Sequence, residues 1–232
     1  MKIIGIEGSS LTASVAILED GILIGEYTTN HKKTHSVTLL PMLEELKKMC
    51  ELDLATVDAI AVSAGPGSFT GLRIAASAAK GIALALNKPI VPVPTVDGLA
   101  YNMWGCSDMI CPIMDARRSE VYTGLYTFEK GVMKTIVPQK AVPFTEIAED
   151  INKEGKTVVF LGDGLEVFSQ MMEEHIKTDY YKAPAHMNRQ RAASVAALGC
   201  ELLKKGVAVD ADEFAPEYLR MSQAERVRAE GL

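Results

Sequence analysis

Aromatic residues make up only 6% of this 232-residue chain, with a single Trp. No apolar run approaches the roughly 20 residues needed to span a bilayer, so no membrane role is expected. Cysteine is scarce too. Cys50, Cys106, Cys111 and Cys200 lack the close pairing of a zinc ribbon or redox motif and read as reduced thiols of a cytoplasmic protein. Positive charge is in deficit, with 24 Lys and Arg against 30 Asp and Glu and a formal net charge of -6. The short basic pairs Lys32-Lys33 and Arg117-Arg118 make no long patch, which excludes a dedicated nucleic-acid binder. Met1-Lys2 leads directly into a strand pattern, without the regions of a signal peptide. What remains is ordinary globular composition, 48% hydrophobic and 23% charged. That suits one large domain or two lobes of about a hundred residues, each able to bury a core.

The pattern of elements favours two lobes. Ile3 to Ile6, Ser14 to Leu18 and Ile22 to Tyr27 read as strands, the last two joined by the tight turn Asp20-Gly21. A helix is predicted over Ser36 to Cys50, a buried strand over Ala59 to Ala64, and a second helix over Gly71 to Leu86. Pro89 to Val93 is another strand, and the Pro/Gly punctuation up to Gly98 marks a boundary. Beyond it, Met109 to Met114 and Val121 to Phe128 pair around a polar turn. Thr157 to Leu161 ends in Gly162-Asp163-Gly164, and Arg191 to Lys205 is a helix stopped by Gly206. No internal repeat of fixed period is evident. The expected division is 1–98, 99–210 and a tail 211–232 returning across the lobes of an α/β protein.

The run Ala64-Gly65-Pro66-Gly67-Ser68-Phe69-Thr70-Gly71-Leu72-Arg73 follows a strand and opens a helix. Backbone N–H groups in that context can hold an anion, and Ser68 or Thr70 can cap the helix. The same glycines also suit a tight strand-to-helix turn packed against another element, and sequence alone leaves both open. It is not a Walker loop, because no Lys-Ser/Thr pair ends it.

This run closely resembles the signature of the TsaB family, relatives of the catalytic TsaD/Kae-type subunit. Further matches are spread over nearly the whole chain: His35-Ser36 with Leu39-Leu40-Pro41, then Met114 to Arg118 with Glu120-Val121-Tyr122. The last is Pro216 with Tyr218-Leu219-Arg220 and Ala224-Glu225. The resemblance implies a two-lobed actin-like/Hsp70-like ATPase (ASKHA) fold. It further implies a non-catalytic scaffold or partner subunit of the complex that makes threonylcarbamoyladenosine on the adenosine next to the anticodon of tRNA. Its partners would be the catalytic TsaD-type subunit and a small ATPase subunit of the TsaE type, with tRNA met only through the complex. The isolated chain is expected to be a homodimer. No cofactor is required, although ATP or ADP could occupy a cleft formed by Glu7, Ser9, Ser10, Gly65, Gly67 and Ser68. The alternative is an independent ATP-dependent enzyme, an ATPase or small-molecule kinase of the same fold. One departure bears on this: the first strand ends in Glu7, where such folds commonly carry Asp. The longer side chain displaces the charge by more than about an ångström, which alters magnesium-nucleotide geometry.

Other candidates weigh less. His31 and His35 are four apart like zinc ligands on a helix, but Lys32 and Lys33 lie between them and no HExxH pattern is present. They read as solvated histidines, with no metal expected and no metallopeptidase. Asp163 could accept from a ribose or make a turn, and the turn is favoured. Asp115, Arg117, Arg118 and Glu120 read as a solvated turn with internal ion pairs. No Ser-His-Asp or Cys-His arrangement marks a nucleophile, so no catalytic residue is assigned.

The two first-lobe helices are more informative. Apolar residues of the first, Leu39, Leu40, Leu43 and Leu46 among them, cover about half its circumference, wider than the ~100° stripe that one core contact requires. The second carries Ala75, Ala78 and Ala79 beside Arg73. A partner face built from these eight residues is expected, with a fully buried second helix as the competing explanation.

Overall fold

The computed structural model describes residues 1–31 and 33–220. Its first lobe is a five-stranded sheet of β1 (Lys2–Glu7), β2 (Ala13–Glu19), β3 (Ile22–Thr29), β4 (Ala59–Gly65) and β5 (Ile90–Pro94), in the order β3-β2-β1-β4-β5. The first three strands form an antiparallel meander, and β4 and β5 add in parallel. Successive side chains of a strand point to opposite faces. In β1, Ile4 and Ile6 accordingly meet one core and Ile3 another. Every residue of β4 is buried, as expected of a parallel strand covered on both sides.

Helices α1 (Leu39–Met49) and α2 (Phe69–Leu86) cover one face of this sheet. A 3-10 turn over His35–Val37 precedes α1, so the expected start at Ser36 moves to Leu39. Pro41 falls in the first turn of α1, where its missing N–H costs nothing. Ser68 caps α2, its Oγ accepting from Gly71 N at 3.3 Å, and Asn87 ends the helix in the left-handed region. By length and composition α2 could cross a membrane. In the fold, Leu72, Ala75, Ala76, Ala79 and Ala83 are buried, while Arg73 and Ser77 are exposed.

The second sheet comprises β6 (Met109–Asp115), β7 (Glu120–Glu129), β8 (Val132–Pro143), β9 (Val158–Leu161) and β10 (Tyr180–Lys182), ordered β10-β9-β6-β7-β8. Started from its meander, it runs β8-β7-β6-β9-β10, the topology of the first sheet repeated. The duplication is in the fold, with no repeat visible in sequence. Helices α4 (Phe144–Glu154) and α5 (Ser169–His175) supply Phe144, Ile147, Ile151 and Met172 to the core on one side of this sheet.

Two helices tie the lobes together. The expected boundary at Gly98 lies inside α3 (Thr95–Ala100), which touches strands of both sheets. Helix α6 (Ala192–Lys204) lies within 99–210 but packs Val195, Ala196 and Leu198 on Ile3, Ala61 and Val93 of the first sheet. Arg191, just ahead of it, forms a forked ion pair with Glu26 of β3.

Candidate functional site: the interlobe cleft and the groove between α1 and α2

A cleft of about 570 Å³ opens between the lobes. The β1–β2 loop brings Ser9, Ser10 and Leu11 to it, the glycine loop Gly67, Ser68 and Phe69, and the second lobe Asp115, Arg117, Tyr122 and Asp163. Tyr218, Leu219 and Arg220 of the tail line it as well. Four of the six expected nucleotide residues therefore meet here: Ser9, Ser10, Gly67 and Ser68.

Glu7 and Gly65 do not line the cleft, and each has a physical reason. Glu7 is 1% exposed, and its Oε1 accepts from Ser9 N at 2.6 Å and Ser9 Oγ at 2.5 Å. Burial raises its pKa from 4.5 to about 7, against the lowering effect of the Ser9 and Ser63 hydrogen bonds. Gly65 has φ +119°, and a Cβ there would lie 2.1 Å from Glu217 O of the tail. The rest of the loop is as closely spoken for. A Cβ on Gly67 would meet Ser9 O at 2.3 Å, and Ser68 N donates to Ser9 O at 2.7 Å. These glycines let chain segments approach one another. Of the two readings left open by the sequence, the packed turn prevails.

The tail completes this packing. Val209 and Ile90 exchange backbone hydrogen bonds, each 2.9 Å, and Phe214 is buried in the first core. Lys80 Nζ donates to the carbonyls of Asp212 and Phe214, and Glu217 N donates to Ala64 O at 2.7 Å. Tyr218 sits 4.9 Å from the ring of Phe69, whose other neighbour is the Arg73 guanidinium at 4.3 Å. Arg220 then reaches the second lobe, donating to Ala116 O and pairing with Glu120 at 2.9 Å. Ala224 and Glu225 of the terminal motif lie outside the described residues.

At the cleft floor, burial is the leading cause that raises the pKa of Asp163. The neighbouring Gln190 amide opposes that rise, although no close hydrogen bond joins it to Asp163 Oδ1. The turn Asp115 to Glu120 is solvated at Arg117 and held by Asp115, whose Oδ1 accepts from Arg117 N at 2.7 Å.

An actin-like cleft implies a magnesium nucleotide, and these residues do not fit one. The Glu7 carboxyl is turned onto Ser9, and burial raises its pKa to about 7. The glycines that would admit phosphate are filled by Ser9 O and Glu217 O.

His35 corrects the expectation of two solvated histidines. His31 is exposed, but His35 is buried, with Nε2 donating to Ser10 O at 2.9 Å and Nδ1 unpartnered. It braces the β1–β2 loop against the start of α1. Among the described residues no group of three His, Cys, Asp or Glu is placed to hold a metal ion.

The expected partner face also separates into two sets. Leu39, Leu43, Leu46, Ala75 and Ala79 lie in the core shared with β1, β2 and β4, not on a free surface. The apolar arc of α1 is wide because α1 packs against β2, β3 and α2 at once. Leu40, Arg73 and Ala78 do face outward, along a groove between the two helices. It holds two apolar hollows of about 380 and 560 Å³, where Leu40, Pro41, Ile74, Ala78 and Ile82 converge. Leu40 is 52% exposed, and Val37 in the turn before α1 and Met49 at its end more so. Pro41, Ile74 and Ile82 escaped notice because their apolar neighbours at helical spacing masked which side is buried.

Comparison with known proteins bears on these features. A family model described as TsaD, tRNA N6-adenosine threonylcarbamoyltransferase, matches residues 23–227. The tRNA threonylcarbamoyladenosine biosynthesis protein TsaB of Bacillus subtilis is 35% identical over 225 residues, covering 97% of this chain and 96% of its own. The protein of the same name from Escherichia coli is 27% identical, with 97% and 96% covered. The crystal structure of YeaZ from Pseudomonas aeruginosa superposes with a TM-score of 0.81 at 27% identity, over 94% of this chain and 99% of that one. An Arthrobacter polyphosphate/ATP-glucomannokinase, 11% identical with a TM-score of 0.50 over 88% of this chain and 99% of that one, shares the fold alone. The fold is thus the two-lobed actin-like (ASKHA) one. With the TsaD model spanning most of its length and a TsaB protein 35% identical across 97% of it, the chain belongs to the TsaB family.

Proposed function

We propose that this chain acts in the biosynthesis of threonylcarbamoyladenosine on tRNA as a non-catalytic partner subunit. Its groove between α1 and α2 receives the catalytic TsaD-type subunit, and a second copy of the chain occupies it when that subunit is absent. A TsaE-type ATPase joins the assembly, and tRNA is met only through it. The family supports the pathway, and the observation that carries the partner role is the groove itself. Leu40, Pro41, Ile74, Ala78 and Ile82 form one continuous apolar strip rimmed by Arg73, Glu44 and Lys47. An apolar core with a charged rim is the anatomy of a protein–protein interface. The acidic chain, which lacks a long basic patch, gives tRNA little to hold directly. Of the carboxylates at and beside the cleft, Glu7 is engaged by Ser9, and Asp115 by Arg117.

The test is Ala78→Glu. Ala78 is part-exposed, so the variant is expected to fold. It would bury a carboxylate in the docked interface and weaken both self-association and TsaD-subunit binding by more than about tenfold. Light scattering reads the mass of the isolated chain, calorimetry the binding, and circular dichroism the fold. A folded variant that dimerises and binds normally places the interface elsewhere.

A further inference from the structure

The tail raises a question that partner binding does not answer: why a segment anchored throughout on the first lobe should end on the second. From Val209 to Tyr218 the hydrogen bonds and ring contact that leave the tail reach the first lobe or its glycine loop, through Ile90, Lys80, Ala64 and Phe69. Among the described residues, the ion pair and hydrogen bonds that cross to the second lobe come from Arg220. Arg220 Nη1 donates to Ala116 O and more loosely to Arg117 O at 3.4 Å, and pairs with Glu120 Oε2 at 2.9 Å.

We propose that residues 209–220 form an intramolecular strap that gates the interlobe cleft, with Arg220 as its latch. Three observations carry this. The strap walls the cleft directly, since Tyr218, Leu219 and Arg220 line it together with Ser10 and Asp115. Its seat is built into the glycine loop, because Gly65 at φ +119° leaves room for Glu217 O where any Cβ would collide. The latch also closes on a strained element. Arg117, Arg118 and Ser119 all hold positive φ, at 66°, 57° and 60°, a run of left-handed conformations that non-glycine residues avoid.

Such a turn persists only where its surroundings over-determine it. Here Asp115 takes Arg117 N, Glu120 O takes Ala116 N, and Arg220 takes the outward carbonyls of Ala116 and Arg117. Release of Arg220 removes one of these restraints together with the strap's ion pair and hydrogen bonds to the second lobe. The turn then relaxes, Tyr218 to Arg220 swing from the cleft mouth, and the remaining anchors keep the strap on the first lobe. The latch is an ion pair that keeps some contact with solvent, its side chains 15% and 33% exposed, so added salt weakens it, though less than a fully exposed pair, and favours release.

The experiment uses the full chain carrying Ser10→Cys as a reporter in the cleft. Peptide mass spectrometry follows its alkylation by iodoacetamide and by a bulky fluorescein maleimide, apart from the four native cysteines. Relative to the latched chain, adding Tyr218→Ala and Arg220→Ala is expected to speed the bulky reagent at least tenfold. The small reagent should change less than threefold. Glu120→Gln, which leaves the tail sequence intact, is expected to give a smaller gain and to abolish the salt dependence seen in the latched chain. If circular dichroism shows the double variant unfolded, Glu120→Gln is read alone. Unchanged bulky labelling overturns the gate. So does an equal acceleration of both reagents, which would mean loosening of the fold without a gate.

Discussion

Replacing Glu7 with glutamine removes the charge of a buried carboxyl and leaves its shape. Glutamine Oε1 can still accept from Ser9 N and Oγ, and its amide faces the Ser63 hydroxyl. Burial raises the folded-state pKa of Glu7 from 4.5 to about 7. Below pH 4.5 the group is protonated in both states and contributes nothing to the pH dependence. Between pH 4.5 and 7 the unfolded chain releases its proton while the folded chain keeps it, so stability falls as pH rises. Above pH 7 the penalty is constant. At about 1.4 kcal/mol per pK unit it amounts to about 3 kcal/mol at pH 8 and about 1 kcal/mol at pH 5. The Glu7→Gln chain escapes it. Urea denaturation of both proteins at pH 5 and pH 8 should therefore show the variant gaining about 2 kcal/mol on the wild type across that interval. Taking the difference between the two proteins cancels Asp97, which titrates in both; Asp163, whose charge helps raise the Glu7 pKa, cancels only in part. A difference that stays flat to within about 0.5 kcal/mol, or that moves the other way, would refute the account of Glu7 as a proton-holding acid.

Two further outcomes follow from packing. Gly65→Ala puts a methyl 2.1 Å from Glu217 O at φ +119° and should cost about 1–3 kcal/mol in denaturant unfolding; a neutral variant would mean that the tail does not seat there. Leu43→Ala should cost about 2–5 kcal/mol, because Leu43 is core, whereas Leu40→Ala should leave stability within about 0.5 kcal/mol and weaken association instead. Equal stability losses at the two positions would sink the division of α1 into a core side and a partner side.

Where a residue's neighbours lie close in sequence, its structure was legible. The Asp20-Gly21 turn has positive φ at both residues, the geometry such pairs favour between strands. Ser68 caps α2, and Gly206 follows α6 with φ +78°. Long strand β8 and helix α4 were missed, although Phe144, Ile147, Ala148 and Ile151 follow a helical period and Lys130-Gly131 marks the preceding turn. The side of α1 that faces inward was misjudged for another reason. Periodicity measures how wide an apolar arc is, not how many neighbours share it, and β2, β3 and α2 all meet α1.

The cleft was the hardest part to read, and the cause is chemical. A loop that holds phosphate and a loop that admits another strand of chain ask for the same residues: glycines for close approach and serines for capping. Local sequence cannot separate them, because the deciding atom belongs to a third party. Here that atom is Glu217 O, some hundred and fifty positions from Gly65, together with Ser9 O on the other side of the loop. His35 is a parallel case, since its partner Ser10 O is a backbone group that no side-chain motif announces. Once the tail fills the loop and Ser9 takes the Glu7 carboxyl, an actin-like cleft no longer offers the contacts a magnesium nucleotide needs. The chain retains a two-lobed body with an apolar groove on its first lobe. In this chain a few close contacts thus reshape the glycine loop and the Glu7 site, and leave intact the sheets and the helices that border the groove.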